Sequence, residues 1–285
     1  MILLEIDLKE KELFYVASSE IIFSNGFLNN ISTSMKNIYL MISFNSNISF
    51  NGFNGEFFSQ TFVYSTKCNI TIFRLNLFGN PNYFHSVLIS ESNKQVIIEK
   101  SIFVGFNNLD LGAIQNFNTF FILFSSVFMN NNAINTNGGA VYTSNSNISF
   151  DANIFSNNSA DYGGAIFFNC DNIDLNLMLS SNNFTHNKAK IGGGAFFSVY
   201  NVPNYSINDY SENSAEYGDD YASPPIRLSL VNNTNLQNML QNYLPSSVIS
   251  YDIILYLKDI LYIDKRVYNR LSLFPVLLNL CLYLP

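Results

Sequence analysis

The chain repeats itself. Gly138-Gly139-Ala140-Val141-Tyr142 returns as Gly163-Gly164-Ala165-Ile166-Phe167, and again as Gly193-Gly194-Ala195-Phe196-Phe197. Upstream of each copy an aromatic residue stands three positions before an asparagine. The pairs are Phe128/Asn131, Phe155/Asn158 and Phe184/Asn187, with Tyr210/Asn213 as a fourth. The aromatic positions step by 27, 29 and 26 residues. A period of roughly 20–50 residues marks a stacked repeat, because one unit cannot bury its apolar side alone. The repeat therefore says what the chain builds, and only weakly what it does.

The local grammar is that of strands and turns. Apolar runs are short, rich in Phe, Ile, Val and Tyr, and punctuated by Asn, Ser, Gly and Asp. Ile38–Phe44, Cys68–Phe73, Val96–Phe106, Phe120–Phe128 and Ala165–Phe168 read as strands. Asn47-Ile48-Ser49-Phe50 recurs as Asn147-Ile148-Ser149-Phe150, and Phe103 followed by Gly112-Ala113-Ile114 is a degraded copy of the motif. Three or four short strands with turns consume one unit of this length at about 3.3 Å per residue. Copies stacked about 4.8 Å apart pair each strand with the one above and below, which gives a parallel β-solenoid.

Each motif residue then has a role. Phe128, Phe155, Phe184 and Tyr210 should point inward and form one aromatic column, with Val141, Ile166 and Phe196 forming another. Asn131, Asn158, Asn187 and Asn213 should sit at a bend and bond their copies as an amide ladder. Ala133, Ala160, Ala189 and Ala215 fit a cramped interior corner. The pairs Gly138-Gly139, Gly163-Gly164 and Gly193-Gly194 should make a tight turn with φ > 0.

Composition narrows the function. Charged residues are 12% and apolar residues 48% of the 285, with 27 Phe, 17 Tyr, 44 Asn and no Trp. A disordered chain would show high charge and few aromatics. The net charge of −7 and the absence of any Lys/Arg run leave nucleic-acid binding without an electrostatic basis. Three scattered cysteines, Cys68, Cys170 and Cys281, form neither a disulfide framework nor a zinc pattern. No secretory signal is visible, since Glu5, Asp7, Lys9, Glu10 and Lys11 break the apolar start. Eight Asn-x-Ser/Thr sequons, at Asn30, Asn47, Asn69, Asn147, Asn157, Asn183, Asn204 and Asn232, fit an extracellular protein without establishing one.

Three zones follow: a charged lead-in or cap over residues 1–20, a β-helix over 21–231, and a C-terminal extension over 232–285. In the extension, Ser250–Asp259 and Ile260–Val267 read as strands, with an amphipathic helix through Ile253, Leu257, Ile260 and Leu261 as the rival. Leu271–Pro285 is strongly apolar, but its 15 residues fall short of the roughly 20 a membrane helix needs. The extension reads as a truncated β domain, with the start of a membrane segment, and membrane association through it, as the alternative.

Gly-Gly-Ala-Ile at 163–166 together with Phe-Ser-Asn-Asn at 155–158 resembles both halves of the double repeat of the chlamydial polymorphic membrane proteins. It is also similar to surface proteins of ciliates and other protists. The match is good over about 103–223 and faint over 21–102. The resemblance implies an all-β, right-handed parallel β-helix, the pectin-lyase-like solenoid, on a cell surface with a link to adhesion. The Asn-rich, Arg-poor composition points to an AT-rich protist genome. The fourth copy departs from the pattern: Tyr217-Gly218-Asp219-Asp220-Tyr221 replaces Gly-Gly-Ala, and Pro224-Pro225 cannot donate to a ladder.

Right-handed β-helices also carry polysaccharide lyases and glycoside hydrolases, which need acids converging on one face. Gly218-Asp219-Asp220 resembles the Gly-Asp-Asp of polygalacturonase-like hydrolases, but no His-Gly or Arg-x-Lys follows it. Asp151, Asp161, Asp171 and Asp174 read as solvated turn residues rather than a calcium site. His186 occupies an outward repeat slot, and Cys170 has no partner that would make it a nucleophile. The expectation is a non-catalytic segment of a cell-surface or membrane-anchored protein, used for adhesion or as a stalk. It has no cofactor or metal, and its partner is a protein or glycan at the surface. A carbohydrate-active enzyme is the alternative.

Overall fold

A computed structural model describes residues 3–4, 12–24, 27–29, 39–58, 61–80, 82–169, 177–199 and 207–223. By compactness the chain divides into Met1–Ser223 and Pro224–Pro285. The expected features of the C-terminal extension, like Cys170, Asp171 and Asp174, lie outside the described residues.

The first unit is a parallel β-solenoid. Its turns run through two sheets at first and three from Asn107 on. The first holds nine strands, running from Glu12–Ala17 through Tyr39–Phe44, Thr61–Thr66, Leu88–Glu91, Ile114–Phe117, Val141–Ser144, Ile166–Asn169 and Phe196–Ser198 to Tyr221–Ala222. The second holds fourteen strands in two arms, joined through the long strands Asn47–Phe58 and Asn69–Gly79. The third is short: Asn107–Asn108, Asn132–Ala133, Ser159–Tyr162 and Lys188–Gly192. Pairing between neighbouring turns is parallel throughout, for example Val141↔Ile166↔Phe196. Paired residues in successive turns lie 21 to 30 positions apart. The solenoid takes in part of the expected lead-in, since Glu12–Ala17 pairs with Tyr39–Phe44.

Three corners bend each turn, and all are built alike. A residue in the left-handed backbone region is followed by a buried residue, whose side chain in most turns accepts a backbone N–H from the turn before. At the first corner Asn45, Lys67, Ser92, Asn118 and Asn145 have φ of 48–58°. They precede Ser46, Cys68, Asn93, Thr119 and Ser146, which are linked turn to turn through N–H bonds to Sγ, Oδ1, Oγ1 and Oγ. At the second corner Lys100, Ser125, Ala152 and Ser181 precede Ser101, Ser126, Asn153 and Asn182. At the third, Asn130, Asn157, His186 and Glu212 precede Asn131, Asn158, Asn187 and Asn213. Left-handed backbone costs a non-glycine residue roughly 1–2 kcal/mol. Here it is held because the next residue makes several buried hydrogen bonds.

These corners correct two expected strands. Val96–Phe106 is split into Gln95–Glu99 and Ile102–Val104 by Lys100, and Phe120–Phe128 into Phe120–Phe124 and Val127–Met129 by Ser125. Neither corner residue is a glycine, so the composition gave no break.

Strand alternation fills the interior. Val63, Leu88, Ile114, Val141, Ile166 and Phe196 form one column at no more than 1% exposure. Beside the first corner the interior turns polar: Asn93 Nδ2 donates to Ser65 Oγ and Ser90 Oγ, both at 2.8 Å. A second apolar cluster lies outside the first sheet. Tyr142, Phe167 and Phe197 stack at 5.4 and 5.3 Å, nearly parallel, and Tyr162, Ile191 and Tyr217 pack over them.

Candidate functional site

Phe128, Phe155, Phe184 and Tyr210 occupy matching positions on the inner side of the second sheet. Their rings stack at 5.2, 4.9 and 5.1 Å with interplanar angles of 15°, 7° and 8°. Phe103 extends the column by one turn at 5.0 Å. Burying each ring contributes about 1.5–3 kcal/mol. The Tyr210 hydroxyl is buried without a hydrogen-bond partner, and burial, with the Asp220 charge behind it, pushes its pKa up.

Directly after this column runs the third-corner ladder. Asn158 is typical. Its backbone N–H and its Nδ2 both donate to Asn187 Oδ1 at 3.0 Å, and Nδ2 also donates to the Phe128 carbonyl at 3.0 Å. Asn131 and Asn187 repeat the arrangement toward Asn158 and Asn213. A parallel ladder at the second corner, Asn153–Asn182–Asn208, has the same bonds. Phe150 and Tyr205 stand three residues before Asn153 and Asn208, but Leu179 holds that place before Asn182, so the aromatic–asparagine pattern is broken there. Their signal is an asparagine five residues before Asn158, Asn187 and Asn213.

The glycine pairs divide the work. Gly138, Gly163 and Gly193 have φ of 62–67° and turn the chain back toward the first sheet. Gly139, Gly164 and Gly194 are places of close approach. A Cβ on Gly164 would collide with the Gly194 carbonyl of the next turn and lie 2.7 Å from the Lys188 backbone. The same crowding explains the alanines. Ala133 and Ala189 are at 2% exposure or less and Ala160 at 8%, while Ala215 at the last described turn is half-buried.

Outside this ladder the third sheet is concave. It forms an open groove of about 560 Å³ across four turns, floored by Ala133, Ala160, Ala189 and Ala215. One wall carries Asn132, Ser159, Lys188 and Ser214; the other carries Asn135, Asp161, Lys190 and Glu216. Ser159 Oγ donates to Asn132 Oδ1 at 2.9 Å, and Lys190 Nζ lies 4.0 Å from Asp161 Oδ1. An exposed pair at that distance contributes little to stability. Amides, hydroxyls and alternating charges over a small apolar floor suit many shallow polar contacts.

The acids of the hydrolase-like tripeptide are engaged in closing the last described turn. Asp220 Oδ1 accepts from Asn213 Nδ2 at 3.0 Å, in the place where another asparagine would continue the ladder. Asp219 Oδ1 accepts from the Ala215 N–H at 3.1 Å. Asp219 stands at the second-glycine position, and its carbonyl meets the Gly194 site. The Asp219 side chain is exposed there.

Elsewhere, Asp151 Oδ1 accepts from Ser180 Oγ at 2.6 Å. His186 is exposed and its Nε2 lies 2.8 Å from Glu212 Oε2, both residues being corner residues. His85 is buried at 4% exposure, edge-on to Phe106, with neither ring nitrogen at hydrogen-bonding geometry. Its burial lowers the pKa to about 4, against a smaller opposing effect of the Tyr83 backbone. Among the described residues no three His, Cys, Asp or Glu side chains gather as a metal site would require, and no helix is long and apolar enough to cross a membrane.

A transmembrane domain-containing protein of Dictyostelium discoideum is 28% identical to this chain over 226 residues. The alignment covers 75% of the chain and 12% of that much longer protein. No protein-family model matches the chain, and no solved structure matches it. The architecture is a parallel β-solenoid, and the similarity is to a small part of a large protein with a membrane domain.

Proposed function

We propose that this chain is a non-catalytic solenoid segment of a cell-surface or membrane-anchored protein, used for adhesion or as a stalk. The observation that carries the reading is how the polar side chains are used. The buried Asn, Ser, Thr and Cys hold one turn to the next at the corners, and the two acids that resemble a hydrolase pair close the ladder's end. The groove adds amides, hydroxyls and compensated charges, which support binding through many weak contacts multiplied by display on a surface. The name of the Dictyostelium relative supports a membrane-linked setting. The polymorphic membrane protein resemblance supports adhesion, by fold-level analogy.

Antibodies raised against the solenoid and applied to intact cells of the source organism test the setting. Labelling without permeabilisation is expected; labelling only after permeabilisation overturns it. A glycan panel read for both retention and cleavage tests the activity. Weak retention is expected, and turnover of any acidic glycan would replace this reading with a carbohydrate-active enzyme.

A further inference from the structure

The solenoid sorts its asparagines into two populations. Those at less than 9% exposure are Asn93, Asn108, Asn116, the two corner ladders and Asn213, and none of them opens an Asn-x-Ser/Thr sequon. In the ladders each Nδ2 of Asn131, Asn153, Asn158, Asn182 and Asn187 makes two hydrogen bonds in the interior. The five sequon asparagines within the described residues, Asn47, Asn69, Asn147, Asn157 and Asn183, all lie on the outer surface. Strand alternation gives four of them their geometry. The asparagine and the hydroxyl two residues on face out together, and the apolar residue between them faces in, as with Asn183, Phe184 and Thr185.

We propose that Asn47, Asn157 and Asn183 carry N-linked glycans, and that Asn69 and Asn147 do not. The assignment rests on the reading that this segment faces the outside. In the transfer, Nδ2 attacks C1 of a lipid-diphosphate-linked oligosaccharide. The Nδ2–C1 bond forms, the C1–O bond to the diphosphate breaks, the lipid diphosphate leaves, and Nδ2 gives up one proton. The product keeps a single N–H and carries a bulky group, so the folded chain must leave that nitrogen open. Asn157 and Asn183 are exposed, at a third corner and at the start of a strand, each beside a ladder asparagine that points the other way; Asn157 Nδ2 donates only to the neighbouring surface hydroxyl Ser156 Oγ, at a long 3.5 Å. Asn47 is exposed, and its Oδ1 accepts from Asn69 Nδ2 at 2.9 Å. Asn69 is therefore the donor of that bond and half-buried in the sheet, and Asn147 is half-buried in the same row.

The test is the full chain secreted from a glycosylating eukaryotic host behind a heterologous leader. Asn30, Asn204 and Asn232 are changed to Gln to silence the remaining sequons. Enzymatic deglycosylation in ¹⁸O-water followed by peptide mapping reads each site. Mass labels at Asn47, Asn157 and Asn183 in most molecules are expected, each abolished by its own Asn→Gln change with the melting temperature unmoved. Labels confined to Asn69 or Asn147, or no label at the three, would overturn the assignment. Chain isolated from its source cells separates the two readings. Sugar on the leader-driven protein but not on the native one would overturn the surface setting and leave the site geometry standing.

Discussion

The turns before Gly112 and those after it build the same solenoid from different chemistry. In the early turns the corner columns are mixed: Ser46, Cys68 and Asn93 at the first corner, Leu75 and Ser101 at the second, and Phe106 at the third. His85 and Asn108 hold the inward positions of the third face, where the later turns place alanine. In the later turns the third corner, and from Asn153 on the second, is an asparagine ladder, and the glycine pair is regular. A corner needs one acceptor for one N–H, and a hydroxyl, thiol or amide can supply it. Only asparagine has the second arm that also reaches the next turn and a carbonyl. The early turns are thus held by interchangeable parts, and the later ones by a part with no equivalent.

The largest difference is expected at the glycines. Gly164→Ala sets a Cβ against the backbone of the next turn, and neither side can move without opening the ladder. A loss of at least about 4 kcal/mol is expected, in the exceptional range for a single change. Gly105→Ala in the early turns meets nothing nearer than the Gly79 carbonyl at 3.8 Å and bears only the strain of φ +76°, roughly 1–2 kcal/mol. Denaturant midpoints compare the two; equal losses would mean the close approach does not limit the later turns.

Next come the corner residues. Asn158→Leu removes the acceptor of the Asn131 N–H and Nδ2 and the donor to the Phe128 carbonyl. Buried groups left unpaired cost about 1–3 kcal/mol each, so roughly 3–5 kcal/mol is expected. Cys68→Ser keeps an acceptor for the Ser46 N–H and should stay within about 1 kcal/mol. A ladder asparagine as replaceable as Cys68 would erase the distinction.

The same contrast explains what could be read from the sequence. Phe-x-x-Asn and Gly-Gly-Ala were legible because a two-armed amide and a backbone contact tolerate no substitute, so the residues recur unchanged. The first two corners were not legible as a set, because Ser46, Cys68, Asn93, Thr119 and Ser146 satisfy one requirement with four residue types. Lys100 and Ser125 broke expected strands for the same reason: a left-handed corner needs a following acceptor, not a glycine. The groove could not be seen at all. It depends on the curvature of the third sheet, whereas the meeting of Asp161 with Lys190 follows from the in-register pairing of Ala160 with Ala189.

His85 gives the early turns a pH dependence of their own. It is neutral in the fold, with a pKa lowered from 6.5 to about 4 by burial. A depressed histidine pKa means that the unfolded chain takes up the proton first. This contribution to stability is intact above about pH 6.5, falls as the pH drops toward 4, and levels below that. The difference corresponds to about 3 kcal/mol. His85→Phe should flatten that part of the stability–pH curve. A curve that His85→Phe leaves unaltered would mean the ring is reached by water.

The smallest effect is expected at the last described turn, where the asparagine ladder stops. Asp220→Asn keeps an Oδ1 where Asn213 Nδ2 needs one, and so replaces the terminating acid by the ladder's own residue. Asp219→Asn keeps the acceptor for the Ala215 N–H. Together they should shift stability by no more than about 1 kcal/mol, since only the charge assistance of two partly exposed bonds is lost. The charge itself is felt by Tyr210, whose pKa is raised first by burial and then by Asp220. Asp220→Asn should therefore lower the Tyr210 pKa in a spectrophotometric titration, yet leave it above that of an exposed tyrosine. If the two acids were a catalytic pair, the double variant would lose a measurable glycan-cleaving activity and keep its fold. If they end the ladder, the variant has no activity to lose, and the tyrosine titration alone reports the change.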